Sequence, residues 1–389
     1  MTSGMNNELT IAIVAHNAEA TIERAVRSAR AMGDYAILLV ADGCTDATVE
    51  NAQRAGGAYL TVALLTPNQG VGAARAHAIG QIQTPYGLWL DADDECMPAR
   101  AEDMLLSLKA GADVALDGGV LVSSATGQMI KELPIPDFMQ GKDQAVRCFE
   151  RNWFPILAGG FNVAFARIVG FDPHFRSVED YDFLLRAIAH GGDIRALPTL
   201  GYRYYHAPDS LSRKVAATQE NVKKALLKHS FEQVAELLAV SSVSAAEKCC
   251  LQAGMALYRH DFKAAKKYAD SIGSDDSIVA PYGLTASFMR HYFTASASAK
   301  LGDWQQANAA LQGLVEGVLV DAEVPADVWN NLGVTLHHIG EKAASTQAFE
   351  KALQVMPDYL DAVENLRAHV PQNYTVHPLR RQASRNRYS

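Results

Sequence analysis

GLWLDADDE, residues 87–95, runs apolar or small positions straight into Asp91, Asp93, Asp94 and Glu95. An isolated cluster of this kind reads as a solvated turn that caps a helix over 98–109. Like charges this close also raise one another's pKa or recruit a cation. Hard oxygen donors at the end of a strand suit Mg²⁺ or Mn²⁺, which bind few protein groups and share the rest with phosphate and water. The surrounding sequence decides between the two readings.

Upstream, strand and helix signals alternate. LTIAIVA (9–15), YAILLVA (35–41) and AYLTVALL (58–65) are short apolar runs of the kind buried on both faces. Ile22, Ala25, Val26 and Ala29 share one helical face, and residues 70–82 read as a small-residue helix. Asp42-Gly43 breaks the second strand, and Thr45 or Asp46 can cap the helix that follows. Such alternation predicts an α/β fold on a mostly parallel, Rossmann-like sheet. Ligands of these sheets lie beyond the carboxyl ends of the strands. Asn17, Asp42 and Asp91 should therefore converge on one edge.

After residue 215 the strand signals stop. VWNNLGVTLHHIGEKAASTQAFEKALQVMP places Trp329, Leu332, Gly333, Leu336, Gly340, Phe349, Ala352 and Pro357 on the spacing of a tetratricopeptide repeat. RHDFKAAKKYA (259–269) and LGDWQQANAAL (301–311) are weaker copies, with His260 and Gly302 aligned to Gly340. Stacked helical hairpins bury one another's apolar faces and leave a concave groove. The expected organisation is an α/β domain over 1–212, a helical linker over 213–245, all-α tetratricopeptide-like repeats over 246–370, and a basic, disordered tail over 371–389.

A chain of 389 residues has room for both domains, and 49% hydrophobic with 20% charged residues marks a globular protein. The net charge of −8 argues against nucleic acid as a partner. Cys44, Cys96, Cys148, Cys249 and Cys250 form no metal-binding spacing and read as reduced thiols. Neither a signal peptide nor a transmembrane segment is expected. A cytoplasmic protein follows, with peripheral contact at the inner face of a membrane as the variant reading.

Several segments then occur in a shared order: IAIVAHNAEATIERAVRSA, VADGCTDAT, NQGVGAARAHAIG, LDADDECMP, SVEDYDFLLRAIAHGG and YRYYHAPDSLSR. Together they make the first 212 residues resemble a family 2 glycosyltransferase of the GT-A fold. The chain departs from the family pattern at His16, at Ala41 and Cys44 in the Asp-Asp-Gly-Ser segment, and after Arg75, where an Asn is lost. The resemblance implies a metal-dependent, inverting transfer from a nucleotide-diphosphate sugar, UDP-sugar foremost, to a hydroxyl of a glycan or protein acceptor. It implies Mn²⁺ or Mg²⁺ held by Asp93 and Asp91, with His206 as a further ligand. Ala15, Asn17, Asp42, Arg75, Asp91 and Asp93 would line the nucleotide-sugar, with Asp42 on the base. Asp180 would take the acceptor proton and Glu179 would orient the acceptor. Asp182 and Arg186, at i and i+4, read as a structural pair. The repeats imply a protein partner or self-association. The alternative reading is a catalytically degenerate transferase-like scaffold whose helical repeats bind a protein partner, motivated by Ala41, Cys44 and the Asn lost after Arg75. Retention of Asp91, Asp93, Glu179 and Asp180 argues against it.

Overall fold

The computed structural model describes residues 6–141, 143–206, 215–317 and 324–376. The chain divides into two units, Met1–Cys148 with Asn152–Ser241, and Phe149–Arg151 with Ser242–Ser389.

The first unit opens with β1 (Asn6–Ala15), α1 (Ile22–Ala31), β2 (Tyr35–Asp42), α2 (Thr48–Gly56), β3 (Leu60–Leu65), α3 (Val71–Gln81) and β4 (Tyr86–Asp91). It continues through β5 (Glu95–Cys96), α4 (Arg100–Lys109), β6 (Val114–Ser123), β7 (Met129–Leu133), β8 (Gly160–Asn162), α5 (Val163–Val169), α6 (Glu179–Ala189) and β9 (Ile194–His206). Two helices, α7 (Val215–Leu227) and α8 (Phe231–Val240), complete it.

The sheet runs β3-β2-β1-β4-β8-β6-β9-β5, with β7 paired to β6. Its first four strands are parallel, β8 is antiparallel to both neighbours, and β6 and β9 are parallel. This is a mixed sheet with its parallel half first. Leu9, Ile11, Ala12 and Ile13 are fully buried, as a central parallel strand requires. The Ile22, Ala25, Val26 and Ala29 stripe of α1 is fully buried as well. A Cβ on Gly72 would stand 2.4 Å from the Asp172 carbonyl oxygen, so only glycine lets α3 approach the loop before α6 this closely.

The second unit is helical: α9 (Ala245–Tyr258), α10 (Phe262–Asp270), α11 (Ala286–Lys300), α12 (Trp304–Gly317), α13 (Ala326–His338), α14 (Lys342–Val355) and α15 (Leu360–Arg367). Each packs on the next in chain order. His260, Gly302 and Gly340, the aligned positions of the sequence copies, all take left-handed φ angles of 61°, 81° and 96° at the hairpin turns. Residues 371–376 lie outside any helix or strand and are hydrogen-bonded to this unit; the rest of the basic stretch lies outside the described residues. Cys44, Cys96, Cys249 and Cys250 form no disulfide. No helix among the described residues is long and apolar enough to cross a membrane.

Candidate active site

The parallel register sets Ala15 beside Ala41 and Val14 beside Asp91, so the carboxyl ends of β1, β2 and β4 share an edge. Asp42 ends β2 and is buried. Its carboxylate accepts the main-chain N–H groups of Gln69 (2.7 Å) and Gly70 (2.7 Å) and the side-chain amide of Asn68 (3.1 Å). The loop can come this close because residue 43 is glycine: a Cβ there would sit 2.5 Å from the Asn68 nitrogen. His16 Nδ1 donates to the Asp42 carbonyl (2.7 Å). Asn17, exposed and left-handed at φ 49°, accepts the Thr45 N–H at 2.8 Å. Ala15 is buried at the strand end, its carbonyl facing the Cys44 thiol.

A second group centres on Arg75 of α3. Its Nη2 lies 2.9 Å from Asp91 Oδ1 and its Nε 3.1 Å from Glu179 Oε1. The guanidinium also lies over the rings of Trp89 and Phe171. Burial alone would lower the pKa of Arg75; Asp91 and Glu179 outweigh it and hold the cation firmly protonated. Arg75, whose Nη1 has no hydrogen-bond partner, lines a cavity of about 20 Å³ with Asp180, Gly159, Phe161 and Phe171, room for roughly one water.

Glu179 and Asp180 begin α6, directly after Val178, a β-branched residue held left-handed at φ 70°. Such a conformation costs about 1–3 kcal/mol and persists where the surroundings over-determine it. Asp180 accepts the N–H of Tyr181 at 2.7 Å. Burial raises its pKa, against the pull of Arg75. Glu179 is raised too, by burial and then by Asp180. Asp182 pairs with Arg186 (2.8 Å) and Lys228 (2.7 Å), as a structural residue does.

The third group surrounds the turn after β4. Desolvation and then Asp91 raise the Asp93 carboxyl, while Arg24, which donates to the Asp93 carbonyl, opposes. Asp94 is buried, raised by desolvation and by Asp91 and Asp93, and accepts the Tyr205 N–H at 2.8 Å. Tyr202 supports Asp91 twice: its hydroxyl accepts the Asp91 N–H and donates to Asp91 Oδ2, both at 3.2 Å. Beneath Tyr202 lies Arg100, fully buried, paired with Asp117 at 2.9 Å and donating to the carbonyls of Trp89 and Ala158. Sequence reading passed over Tyr202, Arg100 and Asp117. A buried arginine without a nearby acidic partner in sequence carries no motif, so nothing local signalled them.

Among the described residues no three His, Cys, Asp or Glu side chains form a ready metal cage. The donor chemistry still suits a hard dication: Asp91 and Asp93 are carboxylates in mutual repulsion, and the side chain of Asp91 is 38% exposed. Mg²⁺ and Mn²⁺ need no more than one or two such groups when phosphate and water supply the rest. His206 ends β9, one residue beyond the Tyr205 amide that binds Asp94, and its side chain lies outside the described residues. The structure thus joins Arg75, Asp91 and Glu179 by direct contact, with Asp180 and Asp93 adjoining. Asp42, Asn17 and Ala15 form a separate group on the same strand edge.

Residues 10–169 match the family model described as Glycosyl transferase family 2. Two relatives come from Rhizobium meliloti (strain 1021). The succinoglycan biosynthesis protein ExoU is 32% identical over 228 residues, 54% of this chain and 66% of the relative. ExoO is 29% identical over 221 residues, 53% of this chain and 63% of the relative. The chain therefore spans just under two thirds of each relative's length. Among solved structures, S. aureus TarS 1–349 in complex with UDP-GlcNAc superposes with a TM-score of 0.54 at 16% identity, over 82% of this chain and 94% of that one. Sheet order, strand-end carboxylates and family match agree, and the first unit of this chain carries a family 2 glycosyltransferase domain.

Proposed function

We propose that the first unit is a divalent-metal-dependent, inverting glycosyltransferase that moves a sugar from a nucleoside-diphosphate donor to a hydroxyl of a glycan or protein. The observation that carries this reading is the bridge Asp91–Arg75–Glu179, buried at Arg75 and Glu179. It ties the strand end suited to a diphosphate to the helix that begins Glu-Asp, so donor and acceptor chemistry meet in one charge cluster. Asp91 and Asp93 would hold the metal, which when bound neutralises charge on the departing diphosphate. Asp180 removes the acceptor proton as the hydroxyl attacks. Its desolvated carboxylate is a stronger base than one in water, and a single base opposite the leaving group gives inversion. Glu179, fixed by Arg75, orients the acceptor.

UDP-sugars are the donors to test first, because the TarS structure of the same fold holds UDP-GlcNAc. Base recognition falls to the Asn17 and Asp42 edge. The second unit is read as a tetratricopeptide-type array that binds a protein partner or a second copy. The common left-handed turns at His260, Gly302 and Gly340 support this.

Calorimetric titration of UDP, GDP and ADP with Mn²⁺, then with EDTA, tests the donor site. Metal-dependent UDP binding that Asp93→Ala loses is expected. Asp180→Asn should retain that binding while turnover drops by about 10²–10⁴. A folded protein that binds no nucleotide would overturn the reading.

A further inference from the structure

The edge where β1 and β2 end holds the polar groups that a base would meet, yet the Asp42 carboxylate there is already engaged. Gln69, Gly70 and Asn68 of one loop donate to it at 2.7, 2.7 and 3.1 Å, and the residue is 3% exposed. A base would reach it only by displacing that loop. Ala41, paired with Ala15 across the two strands, offers no carboxylate in its place. His16 and Asn17, the two residues that follow β1, are exposed. Each is anchored by a main-chain group that can play only one part. The Asp42 carbonyl can only accept, so His16 Nδ1, 2.7 Å away, carries the proton, and in the neutral ring Nε2 is then an acceptor. The Thr45 N–H can only donate, so Asn17 Oδ1 faces it at 2.8 Å and the amide nitrogen is left to donate elsewhere. Asn17 holds this pose at a left-handed φ of 49°, which asparagine adopts more readily than most residues.

We infer that the nucleobase of the donor is read by His16 and Asn17 and not by the Asp42 carboxylate, and that the base selected carries a lactam edge, an N–H beside a C=O. His16 Nε2 accepts the N–H, and the Asn17 amide donates to the carbonyl. Uracil offers N3–H beside O4, and guanine offers N1–H beside O6. Cytosine and adenine offer the reverse, a bare ring nitrogen beside an amino group, which sets acceptor against acceptor and donor against donor. A polar site rejects such a mismatch strongly, because the unmatched groups lose water and gain no partner. Asp42 acts one step back. Its carboxylate fixes the loop at 68–70, and its carbonyl fixes the histidine tautomer. This inference rests on the nucleoside-diphosphate reading of the first unit and narrows it to two of the common bases.

The test is calorimetric and uses the full chain with Mn²⁺. UDP, GDP, CDP and ADP are titrated, followed by N3-methyl-UDP and N1-methyl-GDP, whose methyl groups remove the N–H that is read. UDP or GDP should bind at least tenfold tighter than CDP and ADP, and methylation of the bound nucleotide should weaken it at least tenfold. His16→Phe keeps a flat ring and loses the acceptor, so the nucleotide should bind at least tenfold more weakly and methylation should cost nothing further. Asn17→Gly suits the left-handed φ; it should weaken binding while the methylation effect stays. The titrations of the unaltered chain stand even if a variant does not fold. Preference for CDP or ADP, indifference to methylation, a methylation effect that survives in folded His16→Phe, or unchanged binding in Asn17→Gly would each overturn the assignment and leave the donor reading in place. A folded chain that binds none of the four nucleotides overturns the donor reading and this inference with it, so the two failures are told apart.

Discussion

Asp180 stands in the first turn of α6, where the helix N-terminus favours an anion and desolvation disfavours one. Desolvation prevails, so the folded protein holds this proton to higher pH than the ordinary aspartate value of about 3.9. A base works only as carboxylate. Turnover should therefore fall as pH drops through that raised value, with a one-proton limb that Asp180→Asn removes. A limb at the ordinary aspartate value, measured as kcat/KM against pH, would count against a desolvated base. Tyr202 offers a gentler probe, because phenylalanine keeps the ring over Arg100 and deletes only the hydroxyl on Asp91. Losing that bond should cost about 0.5–1.5 kcal/mol and weaken metal–nucleotide binding by up to about tenfold, read by calorimetry, with the fold intact. Asp91, Glu179 and Asp180 were legible in sequence because each sits in a local acidic motif beside a strand end or a helix start. Tyr202 was not, since its partner lies 111 residues away and pattern reading has no reach at that distance.

At the scale of elements, apolar periodicity located the parallel half of the sheet. It missed β8 and β5, whose three and two residues are too few to show an alternating pattern. The third strand begins at Leu60 and not at Ala58, since Gly57–Tyr59 wind into a short 3₁₀ turn. The helices of the second unit turn at the positions where the sequence copies align. Gly302 and Gly340 adopt left-handed backbone freely; His260 at the equivalent place does not. His260→Gly should raise the stability of the second unit by about 1 kcal/mol, less the loss of its stacking on Phe262, and thermal unfolding would measure it. Asn330, Asn331 and Asn365 escaped notice because a buried amide in a helix has no signature until its partner is seen.

Over the whole molecule, the carboxylates of the site set a trend of stability with pH. Asp93, Asp94, Glu179 and Asp180 are all raised, so each keeps its proton in the folded state after the unfolded chain has lost it near pH 4. Their contribution is fully present below that pH and is lost as pH rises through the folded values. In EDTA the protein should lose stability across this window. Asp94→Asn, which can still accept the Tyr205 N–H, should flatten the decline in melting temperature. The bridge through Arg75 responds to its surroundings in another way. The side chains of Arg75 and Glu179 are 4% and 6% exposed, where mobile ions do not enter, whereas those of Arg27 and Glu23 are 67% and 37% exposed and are readily screened. Ionic strength thus divides the two tasks of the site. Added salt competes with the capture of a polyanionic diphosphate and raises KM, while the buried cation goes on aligning strand and helix and kcat holds.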